Sequence, residues 1–373
     1  MENNQLDDPI STRLNAYRVN SGGQEVAKRV NPPSSSMNYS DETASENNAG
    51  SMARKLGGKI SDIAGVEKLE RFNLGEFVSD IFRSHSTDEV ENYFTVGTPA
   101  TIPDISLVDT GWPRPWLFTR SLIGAGLIYF LFSCAIGWFK NPNLLPGLIA
   151  MGTIAIPCST LIFFIEVNAR RNVSLYQVLR FVLFGGILSL IFSLVLFALP
   201  VTGAFSWLGA SIAGIVEETG KLAAVIVMGG SIKYRYKLNG LLLGAAVGTG
   251  FAVFESMGYA LRILLSGGLD AMTSNILLRG VLSPFGHIVW TAITAAALWR
   301  VKGAAKFSFQ MLKDIKFLRL FFVPVVLHMI WNSGFELPFC AVQFAVGAVA
   351  WLIVFALIQE GLKELREEKR GLR

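Results

Sequence analysis

The chain is poor in charge and poor in cysteine. Asp, Glu, Lys and Arg make up 16% of the 373 residues, against 51% hydrophobic ones, and the mean hydropathy is +0.45. Such a balance excludes a soluble globular protein of ordinary composition and leaves a polytopic membrane protein. The three cysteines, Cys134, Cys158 and Cys340, fall in or beside apolar segments without CxxC or Cys/His spacing, so they read as small buried hydrophobes. There is no HExxH, which excludes the familiar soluble zincin helix, and no GxSxG, which argues against serine chemistry. The N-terminus lacks a short apolar run followed by small residues, so no cleaved signal peptide is expected and insertion falls to the first membrane helix. A net charge of +5 and a pI near 9.1 do not imply nucleic acid, because the Lys and Arg residues cluster between apolar runs as topology charges do.

What is present is a set of apolar runs with a polar preface. Residues 1–57 are rich in Ser, Asn, Asp, Gly and Lys and carry no sustained period, the pattern of a disordered cytoplasmic tail. Residues 58–115 read as a short cytoplasmic helical region and a Pro-rich linker. In it Phe72, Phe77, Val78, Ile81 and Phe82 recur at helical spacing, and Ser86 with Glu89 forms a capping-box pattern. His85, at the junction, is expected to be solvated and carries no assigned role. Pro99, Pro103, Pro113 and Pro115 then break regular structure.

The membrane domain is expected over 116–360, followed by a basic cytoplasmic tail at 361–373. Eight runs, at roughly 116–139, 144–166, 176–199, 206–228, 239–263, 276–299, 317–336 and 338–359, are each long enough to span about 30 Å of hydrocarbon. The fold class is therefore all-α, with about eight transmembrane helices. Lys140, Arg262 and Arg279 are the basic residues of alternate loops, while sixteen others, from Arg170 to Arg373, fall in the remaining loops and the tail. That asymmetry predicts both termini in the cytoplasm. The basic stretch Lys302–Phe317 reads equally as a helix lying on the headgroups or as an ordinary loop.

Several ionisable residues sit where lipid should be. Residues 213–222 read A-G-I-V-E-E-T-G-K-L, placing Glu217, Glu218 and Lys221 in the middle of the fourth run. A charge at a helix centre costs about 2.5–3.5 kcal/mol on insertion scales, so these three must face protein rather than lipid. On a helix Lys221 lies one turn from both acids, which a structural ion pair would equally explain. Glu255 falls about 7 Å outward of the midpoint of the fifth run at 1.5 Å per residue, beside a stripe formed by Gly240, Gly244, Gly248, Ala252 and Ser256 that admits a neighbouring backbone. His287 is central in the sixth run, and His328 lies near the middle of the seventh, with Asn332 one turn on. Pro284 and Pro324 are expected to free the carbonyls of Gly280 and Leu320 near the histidines, as happens where a cavity is lined.

These residues suit two functions. An acid near two histidines can activate water while another group stabilises an oxyanion, and a His/His/Glu set also suits zinc; both describe peptide hydrolysis. Acid and histidine chains at mid-membrane also serve proton- or ion-coupled transporters. All the charges fall in runs four to seven with no repeat in the first half, which favours an enzyme.

Four segments, in order, resemble the PrsW family of intramembrane proteases, relatives of the type II CAAX prenyl proteases. E-E-T-G-K at Glu217–Lys221 is similar to the family's EExxK, and G-T-G-F-A-V-F-E at Gly248–Glu255 to its FxxxE segment. His287 stands for its single-histidine motif, and H-M-I-W-N at His328–Asn332 for its fourth. Family members often carry Asn after the FxxxE glutamate, where this chain has Ser256. The resemblance covers about 116–360. It implies cleavage of membrane-anchored proteins, anti-sigma factors in the bacterial setting, by a multi-pass enzyme of the plasma (inner) membrane. It makes Glu217 the water-activating base and Glu218 and Lys221 its electrostatic setting. Glu255, His287, His328 and Asn332 become a metal or oxyanion cradle, with Zn2+ as the metal and Glu255, His287 and His328 as its ligands. Partners are the membrane-anchored substrate and the bilayer, with no nucleic acid.

Overall fold

A computed structural model describes residues 58–69, 72–231, 234–335 and 337–371. The tail expected over 1–57 lies outside the described residues, as do Lys233 and Arg373 of the topology count. Every element among the described residues is helical.

The preface is stapled onto the membrane helices. Helix α1, Thr87–Phe94, carries the expected capping box, with the Ser86 side chain accepting from the Glu89 N–H and the Glu89 carboxylate accepting from the Ser86 N–H. His85 is not solvated as expected. Its side chain is 3% exposed, bonded to Glu89 Oε2 at 2.9 Å and the Asp80 carbonyl at 2.8 Å, and stacked on Trp116 with ring centroids 3.5 Å apart. The His85 hydrogen bond holds the Glu89 carboxyl below its ordinary range. The apolar period that predicted a helix had no means of showing an aromatic partner 31 residues away.

Eight longer helices follow: α2 (Leu117–Phe139), α3 (Leu145–Val167), α4 (Leu175–Phe197, with a π turn at Phe181–Gly185), α5 (Ile212–Gly229), α6 (Lys237–Leu282), α7 (His287–Lys302), α8 (Ile315–Trp331) and α9 (Ala341–Lys369). By length and composition, five stretches among the described residues can cross a membrane: Leu117–Phe139, Pro142–Val167, Leu175–Phe197, Lys237–Lys302 and Pro338–Lys369. The chain is a multi-pass membrane protein. Its outer faces are apolar and exposed, as at Ile123, Leu127, Phe130 and Leu131 of α2 and Leu194 of α4, the arrangement that hydrocarbon solvent favours.

The sixth apolar run is not one helix, contrary to the reading of the sequence. The chain passes through Gly268 at φ 80°, a left-handed backbone that glycine adopts without steric cost, and folds back so that Arg279 reaches Glu255 and Ser256. It then breaks at a 3-10 turn, Ser283–Phe285, where Pro284 has no N–H to continue the ladder, and α7 starts at His287. The Gly280 carbonyl, expected to be free, accepts from the Ser283 N–H, and the Pro284 carbonyl accepts from Trp351 Nε1 at 3.0 Å.

Helix α7 is the centre of the molecule, with every residue from Ile288 to Trp299 buried. The small-residue stripe of α6 admits it: a Cβ on Gly248 would stand 2.5 Å from the His287 carbonyl and 2.9 Å from Ile288 Cα, and Gly240 and Gly244 meet Ala295 and Ala292 likewise. The stripe therefore sets where His287 stands. At the end of the bundle that holds Lys237 and Arg300, both residues pair with the buried Glu360 of α9, at 3.2 and 3.5 Å, and Lys363 pairs with Glu67 of the preface at 2.7 Å. Residues 361–369 continue α9 rather than leaving it as a tail. Between Lys302, the end of α7, and Ile315, the start of α8, the stretch is a loop with one 3-10 turn, Phe309–Lys313, so the loop reading holds over the headgroup helix.

Candidate active site

Four helices bring the predicted residues together. Glu217, Glu218 and Lys221 come from α5, Glu255 from α6, His287 from the first position of α7, and His328 and Asn332 from the end of α8. Glu217, Glu255, His287, His328 and Asn332 line one cavity of about 390 Å3, with Tyr259 and Arg279 in its wall.

The two adjacent acids have separate tasks. Glu218 and Lys221 are fully buried, and Lys221 Nζ donates to Glu218 Oε1 at 2.7 Å. The same carboxylate oxygen meets His328 Nδ1 at 2.9 Å, while the ammonium also meets His287 Nδ1 at 2.7 Å and lies 4.2 Å from the Phe251 ring centroid. Lys221 thus ties His287 to α5 and Glu218 ties His328, and an ammonium that donates to His287 Nδ1 leaves the ring proton on Nε2. Glu217 instead faces the cavity. Its Oε2 has no hydrogen-bond partner among the described residues and lies 3.7 Å from Lys221 Nζ, 3.8 Å from His328 Nε2 and 4.0 Å from His287 Nδ1.

Glu255 is held differently. His287 Nε2 lies 3.2 Å from its Oε2, and Arg279 donates to the same oxygen at 2.5 Å while its Nε donates to Ser256 Oγ at 2.9 Å. The Ser256 hydroxyl therefore has a partner at the position where the family often has Asn. The Tyr259 ring centroid lies 4.4 Å from the Arg279 guanidinium carbon. Arg279 was read from the sequence as a topology charge between runs; the turn at Gly268 returns it to the site. The Gly267-Gly268 pair, a turn signal between the fifth and sixth runs, was the available clue. Trp290 was also missed: its ring lies 4.5 Å from that of His328 and 5.4 Å from that of His287, and nothing in an apolar helix sequence distinguishes it from core.

The donor chemistry fits a metal ion. One ligand atom each from Glu217, His287 and His328 lies within 4.8 Å of the others, two nitrogens and one oxygen as catalytic zinc prefers. Glu217 supplies an oxygen without a hydrogen-bond partner among the described residues, and Glu218 orients His328 through Nδ1, the carboxylate–histidine support typical of metal ligands. His287 already engages Lys221 and Glu255, so ligation there goes with release of one of them. The acid of this set is Glu217, where the reading of the sequence put Glu255. Glu255 lies beside the set, drawn off by Arg279.

Residues 174–358 match the model of the PrsW family intramembrane metalloprotease. Over this stretch the chain belongs to the PrsW family. Comparison with curated proteins and with solved structures found no match. The PrsW stretch contains the whole cluster, Arg279 included, and all four segments on which the resemblance rested.

Proposed function

We propose that the cavity is the hydrolytic site of an intramembrane endopeptidase acting on membrane-anchored proteins. The observation that carries this reading is Glu217, which lines a cavity together with two histidines in a PrsW stretch and whose buried Oε2 has no hydrogen-bond partner among the described residues. Glu217 takes a proton from a water molecule as the oxygen of that water attacks the scissile carbonyl carbon. The carbonyl oxygen gains negative charge, and the proton then passes to the leaving amine as the C–N bond breaks. The Lys221 ammonium lies 3.7 Å from Glu217 Oε2, the nearest cation to the oxygen that takes the proton. Glu218, through His328 and Lys221, positions the imidazoles, and Asn332 offers an amide to the developing oxyanion.

Glu217, His287 and His328 are the residues to hold the metal implied by the family. When bound, a zinc ion supplies a Lewis acid and lowers the pKa of water toward 7. In that case Glu217 serves as a ligand, and Glu255, which Arg279 and His287 hold beside the set, is the carboxylate left to accept the proton.

The finer readings belong to the same proposal: eight crossings with both termini cytoplasmic, a protease domain over 116–360, the bacterial plasma membrane, and an anti-sigma factor as the type of substrate. Nothing in the geometry or the comparisons favours an ion-coupled transporter. The test is incubation of the purified full chain, in liposomes, with candidate single-span membrane proteins, with and without chelator. Mass spectrometry should find a new pair of fragments cut within the membrane span; a full panel left uncut, with metal supplied, would refute the proposal.

A further inference from the structure

Beyond the wall made by Arg279, His287 and Trp331 lies a second cavity of about 230 Å3, which shares those three residues with the first. Its lining includes Ser283 and Gly286, at the break between α6 and α7. Three of its lining residues carry buried side-chain atoms without a hydrogen-bond partner among the described residues: Asn275 Oδ1, Ser283 Oγ and Trp290 Nε1. Trp290 is 1% exposed, and its indole N–H can only donate. The Asn275 oxygen can only accept, and the Ser283 hydroxyl does either. A buried polar atom left unpaired forfeits its hydration with nothing in return, so three at one cavity call for a ligand that offers both acceptor and donor. The first turn of α7, beside them, has no side-chain cap either.

A peptide unit has that chemistry, with one C=O and one N–H on opposite edges. A helical substrate cannot supply it, because inside a helix those groups are paired with each other. We infer that this second cavity is a subsite that holds a peptide unit of an unwound, extended stretch of substrate beside the scissile bond. Trp290 Nε1 donates to the substrate carbonyl, and Asn275 Oδ1, with Ser283 Oγ, takes the substrate N–H. Trp290 joins subsite and site directly, since its ring also packs on His328. The inference rests on the hydrolytic reading of the first cavity and names the form in which substrate enters it: single-span segments carrying helix-breaking residues.

The test uses the full-length Glu217→Gln chain in detergent micelles and a synthetic single-span peptide of Leu and Ala with a central Gly-Pro pair, its binding followed by fluorescence anisotropy. Esters replace the central peptide bonds one at a time, each removing a single N–H. One ester position should weaken binding about tenfold, the loss of one well-buried hydrogen bond. In an Asn275→Leu, Ser283→Ala background the all-amide peptide should bind about as weakly, and the ester should cost nothing further. If no ester position matters, or if the double variant binds as its parent does, the subsite is refuted. Equal binding and equal ester sensitivity of a Leu/Ala peptide without Gly-Pro would refute the requirement for unwinding. The ester scan needs no change to the lining residues, so it decides the matter even if the double variant does not fold, and Ser283→Ala alone is a milder substitute. Wild-type chain that binds the peptide but leaves it uncut would count against hydrolysis while the subsite stands.

Discussion

Replacing Glu217 by Gln keeps the volume of the side chain and removes its charge and its basicity. At 3.7 Å from Lys221 Nζ the lost attraction is about 4 kcal/mol at an effective dielectric of 20. The same substitution removes the cost of holding a carboxylate largely out of water, which is several kcal/mol, so the two nearly cancel. Lys221 is not stranded, because its bonds to Glu218 and His287, both 2.7 Å, remain. The variant should therefore accumulate in the membrane as the wild type does and unfold within a few degrees of it. Cleavage should fall by roughly 10²–10⁴, the contribution of a general base. The assay is cleavage of a single-span substrate in liposomes, beside a thermal unfolding curve in detergent. Retained cleavage would refute the role given to Glu217. So would a marked loss of stability restored by adding Lys221→Met, since that rescue is the signature of a purely structural pair.

Glu218→Gln should behave in the opposite way: removing one partner of a fully buried pair costs about 3–5 kcal/mol, so the thermal midpoint and the yield should both drop well below those of Glu217→Gln. If Glu217, His287 and His328 hold a metal, His287→Ala or His328→Ala should abolish stoichiometric zinc in elemental analysis, and chelation should stop cleavage until zinc is returned. Gly248→Ala places a methyl 2.5 Å from the His287 carbonyl, and should shift α7, cut activity and lower the unfolding midpoint; an unchanged protein would show the α6–α7 contact to be looser than its geometry. Reporter fusions after Lys237 and Lys316 should be cytoplasmic and one after Phe205 external; a cytoplasmic signal after Phe205 would overturn the eight-crossing topology.

Hydrophobic run length and the cost of intramembrane charge are local properties, and they were enough to identify an all-helical membrane protein and to single out Glu217, Glu218, Lys221, Glu255, His287, His328 and Asn332. All but the buried pair Glu218 and Lys221 line the first cavity, and that pair holds both histidines from behind. Depth along a helix can be counted from sequence, which is why residues of four runs could be placed near the middle of the membrane. Rotation about each helix axis and breaks in the chain path cannot be counted, because packing partners decide them. Only the tertiary structure separated Glu217, open to the cavity, from Glu218, tied to Lys221 and His328. The left-handed turn at Gly268 likewise brought Arg279 back to Glu255, and the break at Pro284 made His287 the start of a helix rather than its middle. Each of these depends on contacts between residues far apart in the chain, which a periodicity of 3.6 residues does not encode.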